Sequence, residues 1–492
     1  MNTKSRILSL LTCCALLLPV CGVGLVSEAR ARSGQRRGAD DEPRAGETVN
    51  RDKVSGALRE RAAGGGRRGK DAGPTAQVIL QLRAPMSGGL VALLNRNGAH
   101  VTRELKSLGM ATADLPLSAL DELASFDEVT FVSPDQETEV LGHVSRATGA
   151  DAAVAQTYSS VTQLNGTGVA IAVVDSGIYD AHASFLDAAG TASRVVFNKN
   201  FVTTETRTDD PYGHGTHVAG LAAGLDRVKG GAYSGVATDA RIIDLRVLDS
   251  KGKGQTSWLL GALDWLAANH AAYNVRVVNI SLGAPAVDSY ANDPVCQAVR
   301  RLYHLGLVVV VAAGNNGKNS AGQKVYGQIH SPGNDPSVIT VGASNAFGTD
   351  ARADDAIATY SSRGPTRSFW TDAQGAKHHD NLIKPDLVAP GNKIIDAAAE
   401  DNYLLATNPW LDAGVSNSDK RRMMYMNGTS MATPVTAGAA ALLLQANPRL
   451  TPNMVKMILM YTAQPLAGFN MLEQGAGELN VEGAVRLARL VR

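Results

Sequence analysis

Apolar, β-branched runs at residues 168–174, 275–281 and 307–312 constrain this chain most. Each is short and lacks the alternation of a strand with one wet face. Each therefore reads as a strand covered on both sides. Further strand candidates are 194–197, 241–248 and 338–342, and helix candidates are 217–224, 256–268, 293–305, 433–445 and 451–461. Strands alternating with helices give a mostly parallel central sheet flanked by helices, an α/β fold. In such a sheet, reactive groups gather outside the carboxyl ends of the strands. Asp175, between Val173-Val174 and Ser176-Gly177, stands at such an end.

The stretch Met426-Asn427-Gly428-Thr429-Ser430-Met431-Ala432-Thr433-Pro434 puts a serine between a glycine-containing turn and the apolar run 437–444. A serine at a helix N-terminus has unpaired backbone N–H groups beside it and the positive end of the helix dipole beneath it. Both favour negative charge developing on a bound carbonyl oxygen. Alone, Gly-Thr-Ser says only that Thr429 or Ser430 caps a helix. Upstream, Gly213-His214-Gly215-Thr216-His217-Val218-Ala219-Gly220 opens a second small-residue helix with a histidine in its lead-in. Acid, histidine and serine each stand at the edge of a regular element, in the order Asp175, His214, Ser430.

With these motifs in this order, the chain resembles the subtilisin-like serine peptidases over roughly residues 150 to 485. The resemblance implies that Ser430 is a nucleophile, His214 the base that takes its proton, and Asp175 the acid that orients the base. His217 is the competing histidine; the resemblance assigns the first of the pair and turns His217 inward. A metal site is the other reading of His-x-x-His with an acid. The spacing is not that of His-Glu-x-x-His and no Glu follows His214, so no metal is expected there.

Ala312-Ala313-Gly314-Asn315-Asn316-Gly317 follows an apolar strand and reads locally as a Gly/Asn turn. By resemblance, Asn315 donates its side-chain amide to the oxyanion, with the Ser430 N–H as second donor; Asn316 is the alternative. Gly252 and Gly254, with Leu282, Gly283 and Ala284, resemble the two edges that sandwich an extended peptide. Glycine there would let a second backbone come close. The resemblance also implies an apolar specificity pocket bordered by Ala313 and Gly314. No acid is placed to demand Lys or Arg, so broad specificity is expected. Tyr360-Ser361-Ser362-Arg363-Gly364-Pro365 and Lys384-Pro385-Asp386-Leu387-Val388-Ala389-Pro390-Gly391 are further matches.

There are departures. Val435-Thr436 follows Thr433-Pro434 where many relatives carry His-Val. The familiar calcium loop is not recognisable in Leu225-Asp226-Arg227-Val228-Lys229-Gly230. No cofactor is expected for catalysis, and structural calcium has no recognisable loop to support it. Insertions at 366–381 and 400–422 bring Trp370 and Trp410, expected at the cleft rim.

The N-terminal part reads differently. Lys4 and Arg6 precede an apolar run from Ile7 to Val26 and then Ala29-Arg30-Ala31, a secretory signal over residues 1–31. The rival readings are an uncleaved anchor, since the run is long, and a lipid-modified cysteine, since Cys13, Cys14 and Cys21 fall in it. Once the signal is removed, only Cys296 remains, so no intramolecular disulfide can form and a large core must suffice. Cys296 is expected as a buried apolar filler. Residues 32–73, rich in Arg, Gly and Asp, read as a disordered linker. Residues 74–138 give strand–helix–strand–strand–helix–strand, a small α+β ferredoxin-like module, with Ser118 and Glu122 opening its second helix. By position it resembles the inhibitory prodomain of these enzymes, leaving 139–492 as the catalytic domain.

The expected product is therefore a secreted, monomeric serine endopeptidase acting on protein or peptide substrates. It is made as a self-processed zymogen, with its own prodomain as intramolecular inhibitor. A net charge of +1 gives no electrostatic case for nucleic acid. An inactive binding protein on this fold is disfavoured by the complete triad. An esterase is disfavoured because the Gly-x-Ser-x-Gly elbow is missing.

Overall fold

The computed structural model describes residues 53–55, 58–59, 61–62, 75–105, 109–134, 144–155, 163–225 and 227–492. The expected signal and most of the expected linker lie outside these residues. The chain separates into two compact units, Met1–Thr138 and Glu139–Arg492.

The first unit runs β1 (Thr75–Leu82), α1 (Gly88–Arg96), β2 (His100–Leu105), β3 (Met110–Pro116), α2 (Leu120–Ala124) and β4 (Val129–Pro134). Its strands pair antiparallel in the order β2-β3-β1-β4. Ala76, Val78 and Leu80 alternate inward along β1 and meet Leu90, Leu93 and Leu94 of α1 and Leu120 and Leu123 of α2. Period 2 on the strand and period 3.6 on the helices thus build one core. Ser118 does not open the second helix as expected. It sits inside a 3-10 turn, Leu117–Ala119, with no side-chain cap on either segment. The capping serine is Ser87, whose Oγ accepts from the Leu90 N–H at 3.1 Å.

The second unit is organised on β5 (Ala170–Asp175), β6 (Val195–Asn200), β7 (Arg241–Arg246), β8 (Val275–Ile280), the short β9 (Ala284–Pro285), β10 (Val308–Ala312), the short β11 (His330–Ser331), β12 (Ile339–Asn345) and β13 (Ala356–Ile357). A hairpin of β14 (Phe369–Thr371) and β15 (Lys377–His379) follows, and then β16 (Leu387–Pro390). The main sheet has the order β13-β12-β10-β8-β5-β7-β6, with β16 also on β12, and every pair but β12–β13 is parallel.

β5 is central, Val174 standing opposite both Leu245 and Ile280. All its residues are buried. Ile171 and Val173 face α3 (His214–Ala223), α7 (Thr429–Ala446), α8 (Pro452–Thr462) and α9 (Val481–Leu490). Ala170, Ala172 and Val174 face α4 (Thr256–Asn269) and α5 (Pro294–His304). One alternating strand therefore feeds two cores, one on each side of the sheet. A short helix, α6 (Tyr403–Thr407), lies in the expected insertion.

Two helices start earlier than their apolar runs suggest. α3 begins at His214 and α7 at Thr429. The apolar pattern marks only the buried length, whereas the starts are set by turns at Gly213 and Gly428. α7 carries Pro434 inside it. That ring removes the amide that would have donated to the Ser430 carbonyl. The Ser281 hydroxyl donates to that carbonyl instead, at 2.8 Å.

Candidate active site

Asp175 closes β5 and His214 opens α3. The fully buried Asp175 accepts through Oδ1 from the Ser176 N–H at 2.8 Å and from His214 Nδ1 at 2.7 Å. Burial alone would lower the His214 pKa. The charge of Asp175, its hydrogen bond and the charge of Asp210 outweigh burial and raise it above the ordinary histidine value. His217 is fully buried, its Nε2 lying 3.2 Å from the carbonyls of Ile394 and Met424. Burial pushes its pKa down to about 3, so it is a neutral interior side chain.

Thr429, the first residue of α7, caps nothing in its own helix. Its N–H and its hydroxyl both donate to Asn315 Oδ1, at 2.9 and 3.1 Å. With its oxygen so engaged, the Asn315 amide turns its nitrogen the other way. A Cβ built on Gly428 would lie 3.4 Å from Asn315 Nδ2 and 3.5 Å from the Ser430 backbone nitrogen. Both nitrogens thus stand close to Gly428, beside Ser430. Asn316 is occupied elsewhere: its N–H donates to Ser362 Oγ at 3.0 Å and its Nδ2 meets His330 Nε2 at 2.9 Å.

His214, Asn315 and Ser430 line one open cleft of about 460 Å³. Tyr212, Leu248, Gly252 and Gly254 form one side; Leu282, Gly283, Ala284, Gly314 and His330 form the other. No Asp, Glu, Lys or Arg side chain lines it. A histidine on a buried acid, a serine at a helix start and amide nitrogens close by can together drive acyl transfer. A model of the subtilase family matches residues 166–481.

The chain belongs to the subtilase family. It is 35% identical to serine protease AprX of Bacillus subtilis over 65% of this chain and 67% of that one. It is 31% identical to subtilisin E of Bacillus subtilis over 80% of this chain and 85% of that one. An extracellular serine proteinase of a Thermus strain is 31% identical over 76% of this chain and 75% of its own. This subtilase is a serine endopeptidase.

Ala313 is placed differently from expectation. It is fully buried, its N–H donating to Val341 O at 3.0 Å and its carbonyl accepting from the His330 N–H at 3.1 Å, while Ala312 and Gly314 line the cleft. Successive residues leaving β10 point to opposite sides, so a one-residue shift changes the face. Gly252 lines the cleft, but what comes close to it is the Tyr212 ring. A Cβ there would fall 2.3 Å from a ring carbon, and its φ of +72° is left-handed. Neither tryptophan of the insertions lines the cleft. Trp370 stacks on His378 in the β14–β15 hairpin, and Trp410 is exposed. Cys296 is buried but not purely a filler, its thiol lying 3.2 Å from Asn334 Oδ1. Among the described residues, no cluster of three or more His, Cys, Asp or Glu could hold a metal ion. Asp226 lies outside the described residues.

Two supports of the subtilase site were given no role by the sequence. Asp210, fully buried, accepts from Ser176 Oγ and the Gly213 N–H at 2.7 Å and from the Thr216 N–H at 2.8 Å. Ser176 Oγ in turn accepts from the Gly215 N–H at 2.9 Å. Asp210 thereby ties the start of α3 to the end of β5. The second support is the matched segment 360–363. Tyr360 O accepts from the Gly317 N–H at 2.8 Å, the Ser362 N–H donates to Gly314 O at 2.9 Å, and the buried Arg363 donates to Gly317 O at 2.6 Å. These bonds hold the loop that carries Asn315.

Proposed function

We propose that this peptidase cleaves peptide bonds through an acyl-enzyme, with Ser430 as nucleophile, His214 as general base and then acid, and Asp175 as the acid that orients it. With Nδ1–H given to Asp175, His214 Nε2 is free to accept the Ser430 proton as Oγ attacks the carbonyl carbon. The oxyanion would be held by Asn315 Nδ2 and the Ser430 N–H. The observation that carries this reading is that His214, held on Asp175 at 2.7 Å, lines one cleft together with Asn315 and Ser430. His214 then returns the proton to the leaving amine, and water repeats the sequence on the acyl-enzyme. The uncharged lining of the cleft supports broad specificity, with apolar side chains favoured. Structural calcium is not part of this proposal.

We further propose that the chain is exported through its N-terminal apolar run and matures by removing the 74–138 module, which would act as inhibitor of its own domain. No described helix is long and apolar enough to cross a membrane. The extracellular relative from Thermus supports export. Ser430→Ala tests the catalytic reading. It should lower turnover of casein on the order of a millionfold while circular dichroism and melting stay those of wild type. Retention of a tenth of the activity would rule out Ser430. Casein cleaved in preference to short-chain esters would separate peptidase from esterase.

A further inference from the structure

We infer that segment 400–411 is a specificity brace: through Tyr403 it holds Tyr212 as an aromatic wall for an apolar substrate side chain, two residues before the cleaved bond. The inference rests on the catalytic reading above and adds a substrate class to it.

Tyr212 precedes Gly213 and His214 and lines the cleft. Its ring lies against the Gly252 backbone, where no side chain could fit. The Tyr403 ring stacks on it with centroids 6.2 Å apart and planes 23° apart. The backbones are tied as well. The Tyr403 N–H donates to Pro211 O at 2.8 Å and the Leu404 N–H to Tyr212 O at 3.2 Å. Both are first-turn amides of α6, free to donate outward. The buried Asn402 caps α6, accepting from the Leu405 N–H at 2.9 Å. The same side chain presses on Gly213, where a Cβ would lie 2.5 Å from Asn402 Oδ1 and φ is +100°. Tyr212 is therefore fixed in position from the insertion side and from the Gly252 side.

An extended peptide points successive side chains to opposite sides. Suppose the residue whose carbonyl faces Asn315 Nδ2 and the Ser430 N–H directs its side chain to the side of Leu282, Gly314 and His330. The residue before it then faces the other wall, His214 and Tyr212. That wall offers an aromatic ring and no formal charge of its own, so an apolar side chain gains there and a small or charged one does not. A buried methylene or two is worth about ten- to a hundredfold in kcat/KM. Tyr403 touches no reacting atom; it is a positioning residue.

The test uses enzyme produced from the full chain, with active sites counted by a fluorophosphonate. Peptides would differ only in Gly, Ala or Leu at the second residue before the cleaved bond. Wild-type kcat/KM should rise about tenfold from Gly to Leu. Tyr212→Ala should shrink that ratio to within about twofold, and Tyr403→Ala should shrink it about threefold, by the same loss of ring contact. Tyr403→Phe keeps the ring and should keep the ratio. A flat wild-type series, or an equal loss on all peptides in Tyr403→Ala, would overturn the inference. A wild type that takes up no fluorophosphonate would instead defeat the catalytic reading. If Tyr212→Ala does not fold, the Tyr403→Ala and Tyr403→Phe pair decides.

Discussion

The Ser281 hydroxyl donates to the Ser430 carbonyl at 2.8 Å, in the place that Pro434 leaves empty. Asn279 Nδ2 donates to Ser281 Oγ at 3.0 Å and fixes the direction of that hydroxyl. Asn279 belongs to β8 and Ser281 follows its end, so the first turn of α7 hangs from the central sheet.

Ser281→Ala should therefore destabilise the enzyme by about 1–3 kcal/mol, the cost of a buried carbonyl without a donor. Pro434→Ala restores an amide at the correct helical position. In the double variant, chemical denaturation should recover part of the loss. Additive losses would mean that the two residues do not serve the same carbonyl.

Asn315→Ala should lower kcat about a hundred- to a thousandfold with little change in KM. Its amide nitrogen is aimed by Thr429, whereas Asn316 is bound to Ser362 and His330. Asn316→Ala should leave kcat within about tenfold, since its amide is engaged by His330. Steady-state kinetics showing the reverse pattern would move the donor by one residue.

The acid side of the pH profile follows from His214. Burial lowers its pKa, but the Asp175 and Asp210 charges raise it more, so the net shift is upward from 6.5. If His214 is the base, only its neutral imidazole can take the Ser430 proton, and kcat/KM should fall as pH drops through a midpoint above 6.5. Asp175→Asn removes the nearer charge and should move that midpoint down while lowering kcat on the order of ten-thousandfold. An acid limb centred below 6.5 in the wild type would contradict the observed pairing.

Maturation supplies the remaining test. If the enzyme cuts itself between about Pro134 and Arg146, the reaction in cis gains from effective concentration and its rate should not change on dilution. Residues 135–143 lie outside the described structure; their sequence is largely polar and acidic and contains one glycine, which suits a substrate. Ser430→Ala, expressed without helper peptidases, should accumulate uncut. Mass spectrometry finding the wild-type N-terminus on that variant would refute self-processing and leave the peptidase assignment intact.

The sheet was legible because parallel strands buried on both faces leave unbroken apolar runs, as at residues 170–175 and 308–312. Asp175, His214 and Ser430 could be singled out because each stands at the edge of a regular element, at the end of β5 or in the first turn of α3 or α7. What supports them was not legible. Asp210 and Ser176 carry no motif of their own, since their partners are each other and backbone amides that sequence does not display. The inward turn of Ala313 depends on one residue of register, which composition cannot set. Trp410 promised a contact by its size, yet it is exposed, and the smaller Tyr403 makes the contact instead.

Asp175 is the last residue of a strand paired on both sides, and its carbonyl accepts from both the Val247 and Leu248 amides, at 2.7 and 3.2 Å. Surface loops can fray and reclose without disturbing such a position, because opening it requires parting the centre of the sheet. Amide exchange at Asp175 should therefore be among the slowest in the molecule. On heating, this peptidase would keep its Asp–His pair until the sheet itself melts. Loss of that pair and loss of the fold are then one cooperative event, with no intermediate that is folded at the centre yet lacks its acid.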